Sequence, residues 1–175
     1  MRALFTLGLT CTVVLTAAAQ NQPAAPGPEH KRLEAFAGNW TFQGDVKAGA
    51  AGPGGKVTGT DRNQMLGGYF LERQVEETGP MGKMTGRMMI GYDPVKKTYI
   101  TSGFDSGGGF SSGSVNVNGN TWTFLTSGVA AGKPTQDRCT LTFAAGNNSF
   151  TVTCQTSPDG KTFTPSFEGR WTRSR

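Results

Sequence analysis

From about residue 39 to the C-terminus the chain never runs far without a turn signal, and between the signals apolar and polar residues alternate. "VNVNGNTWTF" carries Asn118-Gly119 between two such runs, the strongest short-range mark of a β-hairpin. A two-residue loop there predicts Val115 opposite Trp122 and Gly113 opposite Phe124, apolar residues that then agree in face. "SPDGK" at 157–161 sets Gly160 at the left-handed position of another turn. It predicts Cys154 opposite Phe163, Val152 opposite Pro165 and Phe150 opposite Phe167. "LGGY" and "YDPVKKTY" mark two more hairpins. Strands are expected at 39–47, 56–66, 69–77, 83–92, 98–105, 110–117, 120–127, 136–144, 149–156 and 162–173. An open sheet of about ten antiparallel strands curls or splits, whereas closure removes its unpaired edges. The expected fold is therefore all-β, an antiparallel up-and-down β-barrel of about ten strands. A two-sheet sandwich is the alternative.

One segment breaks this pattern. "EHKRLEAFAG" sets Leu33, Phe36 and Ala37 on one helical face and stops at Gly38, which predicts a short N-terminal helix able to plug one barrel mouth. Ahead of it, residues 20–28 read as a Pro-rich linker. Residues 1–19 read as a signal peptide: an Arg, an apolar run, then small residues before Gln20. Residues 29–175 then form a single domain in a secreted or periplasmic protein. The apolar run is short for a membrane span, so no stable membrane insertion is expected. Lys and Arg number 17 against 12 Asp and Glu, but no basic run gathers them, so nucleic acid is not an expected partner.

With the leader removed, two cysteines remain, Cys139 and Cys154. They fall on the same face of one hairpin, and a turn centred on Gly146-Asn147 puts them directly opposite. In an oxidising compartment a cross-strand disulfide follows; two buried thiols are the alternative.

"HKRLEAFAGNW" is similar to the helix and Gly-x-Trp opening of lipocalin-like barrels, and "MLGGYFLE" and "IGYDPVKKTYITSGFDSGGG" resemble the central motifs of a bacterial family known only as domain of unknown function 1579. The likeness spans about residues 29–173. It implies a calycin-like barrel, usually in a secreted or cytoplasmic bacterial protein, and no settled activity. Other members tend to carry Trp where this chain has Phe104. In lipocalin-like barrels the matching Trp packs at the closed end under an Arg from a late strand. That role falls here to Trp40, with Trp171 and Arg173 on one inward face; Arg170 points the other way.

Candidate functional residues are fewer. Met84, Met88, Ile90 and Tyr92 share one face, which suits a pocket wall better than a copper site, because His30 is the only histidine. Arg73 shares a face with Tyr69, Leu71 and Val75. If that face is inward, the guanidinium needs a partner: a ligand carboxylate, Asp61 or Asp105. The Gly67-Gly68 turn leaves the facing of 56–77 open. A two-residue loop would set Arg62 against Arg73, and a bulge would exchange the faces. Asp105-Ser106 and the glycines 107–109 suggest a polar loop at the mouth. No nucleophile elbow, phosphate loop or zinc spacing occurs, so no catalytic residue, metal or cofactor is assigned. A barrel of this size exceeds what side chains easily fill. The expected function is binding of an amphipathic or lipophilic small molecule, neutral or anionic, by Arg73, Met84, Met88 and Tyr92. The alternatives are an enzyme using the same cavity and an interaction barrel with a filled core.

Overall fold

The structure, a computed structural model, describes residues 25–49 and 52–174; the segments expected to be a signal peptide and, for the most part, a linker lie outside these. Helix α1 (Pro28–Arg32) and a tight 3-10 turn (Leu33–Phe36) precede ten strands. These are β1 (Gly38–Val46), β2 (Gly55–Leu66), β3 (Phe70–Gly79), β4 (Gly82–Asp93), β5 (Thr98–Asp105), β6 (Phe110–Asn118), β7 (Thr121–Ala130), β8 (Lys133–Phe143), β9 (Ser149–Ser157) and β10 (Thr164–Arg173). Each pairs antiparallel with its neighbours in sequence, and β1 also pairs with β10, closing an up-and-down barrel.

Two hairpin registers differ from expectation. At the β6–β7 turn the loop residues are Gly119 and Asn120, so Val117 meets Trp122 and Val115 meets Phe124. Gly119, at φ 59°, takes the first loop position, where left-handed backbone is required. A slip of two residues preserves every side chain's face, so the core is unaffected. At the β9–β10 turn the Asp159 carboxylate accepts the Ser157 hydroxyl and the N–H groups of Lys161 and Thr162, which widens the loop. Phe167, not Phe163, then lies opposite Cys154, and a register shift follows Pro165, a residue that cannot donate to a ladder. Phe163 is left outside the strand, with the Arg138 guanidinium 4.5 Å from its ring centroid.

The N-terminal segment seals one end. Leu33 and Phe36 are buried, and the Phe36 ring packs edge-on against Trp122, Phe143 and Phe150. Trp40 Nε1 and Asn63 Nδ2 both donate to the Phe36 carbonyl, at 2.8 and 3.1 Å. Arg173 stacks 4.2 Å above the Trp40 ring and donates to the carbonyls of Ala37, Ala35 and Asn147, satisfying groups that a short helical turn leaves without partners. Gly38 turns the chain into β1 at φ 108°, and a Cβ there would meet Arg173 Nη1 at 2.8 Å. His30 Nδ1 accepts the Gly27 N–H, with the ring edge-on to Tyr69 and Tyr92.

Cys139 and Cys154 face each other across β8 and β9 and are disulfide-bonded. A closed loop of this length adds about 3 kcal/mol on the chain-entropy account. Protein produced from Gln20 onward should show no free thiol when titrated in denaturant without reductant; two thiols would contradict the bond.

Candidate functional site: the open end of the barrel

Opposite the plug, five connections surround a mouth that no described residue plugs: residues 47–49 with 52–54, 80–81, 106–109, 131–132 and 158–163. Strand alternation sets the lining. Val75 and Glu77 on β3, Met84 and Met88 on β4, Thr126 on β7, Asp137 and Cys139 on β8, and Phe167 on β10 all point inward by register, yet each stays partly exposed. Inward side chains that water still reaches define a lumen, not a filled core. One recess of about 180 Å³ lies against β1–β4 and β9–β10, lined by Val46, Val57, Glu77, Met81, Met84 and Thr156 among others. A second, of about 260 Å³, lies against β3–β8, with Val75, Met88, Asp105, Thr135 and Asp137 in its wall.

The floor is polar. Arg73 and Asp61 form an ion pair across β2 and β3, 8% and 0% exposed. Trp171 Nε1 donates to the same Asp61 oxygen at 3.0 Å. Trp171 is also the middle ring of a stack with Phe42 and Phe150, which fixes where that N–H points. The β2–β3 loop sets this facing. It holds three residues, 67–69, so Asn63 lies opposite Arg73 and Arg62 opposite Gln74, and the two arginines never meet. Among the described residues four buried side-chain polar atoms have no hydrogen-bond partner: Asp61 Oδ1, Asn63 Oδ1, Arg73 Nε and Thr101 Oγ1.

The wall above the floor is acidic. Burial pushes the Glu77 carboxyl up from the usual carboxylate range, and the charges of Asp105 and Asp61 push it further. The folded barrel therefore holds the Glu77 proton more tightly than the unfolded chain does. The stability this lends is present below the ordinary glutamate range and is lost as pH rises through the folded value. Glu77→Gln should accordingly be neutral to stabilising above that window, by at most ~0.5 kcal/mol after solvent screening. Urea unfolding at pH 4 and pH 8 checks the sign. A variant less stable than wild type at pH 8 would contradict it.

The four residues expected to bind ligand are spread through the barrel. Met84 lines the first recess and Met88 the second. Arg73 is in the floor, bonded to Asp61. Tyr92 lies at the plugged end, its ring centroid 5.1 Å from that of Tyr99. Glu77 and Asp137 were not among the expected residues, and Asp105 was expected as a partner for Arg73 and in a polar mouth loop, although each continues an alternation already legible: Arg73-Val75-Glu77, Thr101-Gly103-Asp105 and Asp137-Cys139-Leu141. Phe104 is on the outer wall and 63% exposed. Among the described residues no group of three or more His, Cys, Asp or Glu is spaced to hold a metal ion.

The pattern of a protein family described as "Protein of unknown function (DUF1579)" matches residues 25–173. The chain belongs to the DUF1579 family. No curated protein matches this DUF1579 barrel significantly. Among solved structures it is similar to Rv2717c from M. tuberculosis, at 12% identity and a TM-score of 0.61, covering 85% of this chain and 99% of that one. It is also similar to the S-type phycobiliprotein lyase CPES from Guillardia theta, at 9% identity and a TM-score of 0.54, covering 84% and 93%. At these identities the shared property is the fold: this DUF1579 protein is built as a closed barrel over nearly the full length of both.

Proposed function

We propose that this DUF1579 protein is a secreted or periplasmic binding barrel that takes an amphipathic or lipophilic small molecule through its open end. The observation that carries the reading is the asymmetry of the lumen. One end is sealed by the N-terminal segment, and at the other the inward residues stay partly exposed around two recesses. The first recess joins Val46, Val57, Met81 and Met84 to Glu77 and Thr156, the mix of apolar wall and few polar groups that small-molecule sites share. Thioether side chains adapt their shape to a guest. The disulfide supports an oxidising compartment, and no described helix is long and apolar enough to cross a membrane.

The test is fluorescence of the uncharged dye phenylnaphthylamine in wild type and Met84→Trp, with melting curves to show that both fold. Burying an apolar body at ~25 cal/mol per Å² suffices for micromolar affinity, which needs about 8 kcal/mol. Wild type should bind, and the larger ring should weaken binding about tenfold or more. Equal binding by both would place the dye elsewhere, such as the outer groove lined by Leu66, Phe70 and Ile100, and would contradict the proposal. So would no binding at all.

A further inference from the structure

We infer that the outer wall of β3–β7 is an interface between two copies of this chain, related by a two-fold axis that runs across the strands along the row Met89, Ser102, Ser112 and Ser127. The inference concerns the outside of the barrel and does not depend on what the lumen holds.

This wall carries the barrel's exposed apolar surface. Leu66, Phe70, Ile100, Phe104, Phe110 and Leu125 are exposed there, and the other exposed large hydrophobics among the described residues, Met81 and Val95, are in turns. Register sorts the six into two rows. Leu66, Phe70, Gly91, Ile100, Ser114 and Leu125 lie opposite one another in succession. Phe104, Phe110 and Val129 do the same nearer the mouth. The row of Met89, Ser102, Ser112 and Ser127 runs between them. By strand alternation the outward positions of β5–β7 hold no Asp, Glu, Lys or Arg, although the chain has 17 Lys and Arg and 12 Asp and Glu. A contiguous apolar face on a folded barrel marks a contact surface.

Charge, shape and size commit that surface to a second copy. The chain carries a net charge of +5, so two copies meet most readily where neither presents charge. A partner held by charge, such as nucleic acid, finds nothing to hold. Two-fold contact also requires a patch complementary to itself. Gly91, Ser102, Ser112 and Gly113 floor a groove walled by Leu66, Phe70 and Ile100, and Phe104 and Phe110 stand beside it as an opposed pair. The two apolar rows lie two residues to either side of the middle row. A two-fold axis along that row therefore sets each row over the other: Phe104 over Ile100, Val129 over Leu125, and Phe110 over the small Ser114. Five strands at ~4.8 Å spacing and about eight residues at ~3.4 Å give a footprint of roughly 650 Å². A standard interface covers about 800 Å² per partner, and side-chain relief adds to the footprint. The charged flanks, the Glu72–Arg87 pair on β3 and β4 and Arg138 on β8, supply a polar rim.

Sedimentation equilibrium of the wild type should show a dimer with a Kd of about 10 μM or tighter. Phe110→Asp puts a charge into the contact and should weaken association about 100-fold or more. Thr151→Asp, on the outer face of β9, should leave it unchanged. Position 112 stands at the axis, so Ser112→Cys should link two copies covalently under mild oxidation, and Thr153→Cys on the far wall should not. A wild type that stays monomeric throughout would overturn the inference. So would a dimer that is insensitive to Phe110→Asp, or one that links through Thr153→Cys and not Ser112→Cys. Flotation of a monomer with phosphatidylcholine vesicles, lost in Phe110→Asp, would give the face to a lipid surface and overturn it as well. The wild-type and Ser112→Cys measurements decide the matter even where Phe110→Asp does not fold.

Discussion

Asp61→Ala is expected to destabilise the barrel by about 3–5 kcal/mol, the cost of stranding one partner of a buried ion pair. The loss has two parts. Arg73, 8% exposed, would keep its charge with no carboxylate beside it, and Trp171 Nε1 would lose its acceptor within the ring stack. The double variant Asp61→Leu/Arg73→Met removes both charges and retains apolar bulk. It should recover most of that loss, because a well-packed apolar replacement of a buried pair is often neutral or stabilising. Urea unfolding of wild type, the single and the double variant measures the coupling. A single variant within ~1 kcal/mol of wild type would mean that water, not Asp61, serves Arg73. A double variant as damaged as the single would show that the pair supports the barrel beyond its charge.

Trp40→Ala should cost about as much, ~3–5 kcal/mol, by leaving a cavity that the closed end has no means to fill. Trp40 is 0% exposed and joins three otherwise separate pieces: the Phe36 carbonyl through Nε1, Phe150 through a ring edge and Arg173 through its face. Trp40→Phe keeps the packing but not the N–H. It should fall between the two, with about 1–3 kcal/mol lost for the carbonyl's abandoned donor, partly made up by Asn63, which donates to the same oxygen. A Trp40→Ala loss below ~1 kcal/mol would show that the plug does not depend on this ring.

The barrel was legible because alternation and turn chemistry act locally. Every expected strand forms within three residues of its expected bounds, and a two-residue slip such as the one at Gly119 changes partners without changing faces. The wide β9–β10 loop was not legible, because its length depends on one carboxylate, Asp159, collecting three donors. The floor was half legible. Asp61 was among the partners that an inward Arg73 would need, but whether β3 turned Arg73 inward depended on three loop residues instead of two at Gly67–Tyr69. Lumenal charge was the least legible property, since it depends on which inward ionic groups find partners. Arg73 does. Glu77, Asp105 and Asp137 form no ion pair among the described residues, and Asp105 instead accepts the Gly107 and Gly109 N–H groups and Asp137 the Thr135 hydroxyl. Tyr92 shows the remaining limit. Its face follows from alternation, but face alone does not say which end of a barrel a residue occupies.

The central claim is that a guest enters the open end, and the five methionines at 65, 81, 84, 88 and 89 report on it at separate places. Met84 and Met88 line the recesses and Met81 stands at the rim. Met65 packs against the core near the plugged end, and Met89 lines the outer groove. Nuclear magnetic resonance of methyl-labelled methionine, titrated with phenylnaphthylamine, should shift the Met84 and Met88 signals most and Met81 next, with Met65 and Met89 unmoved. Shifts confined to Met89, or none, would contradict an open-end binding site.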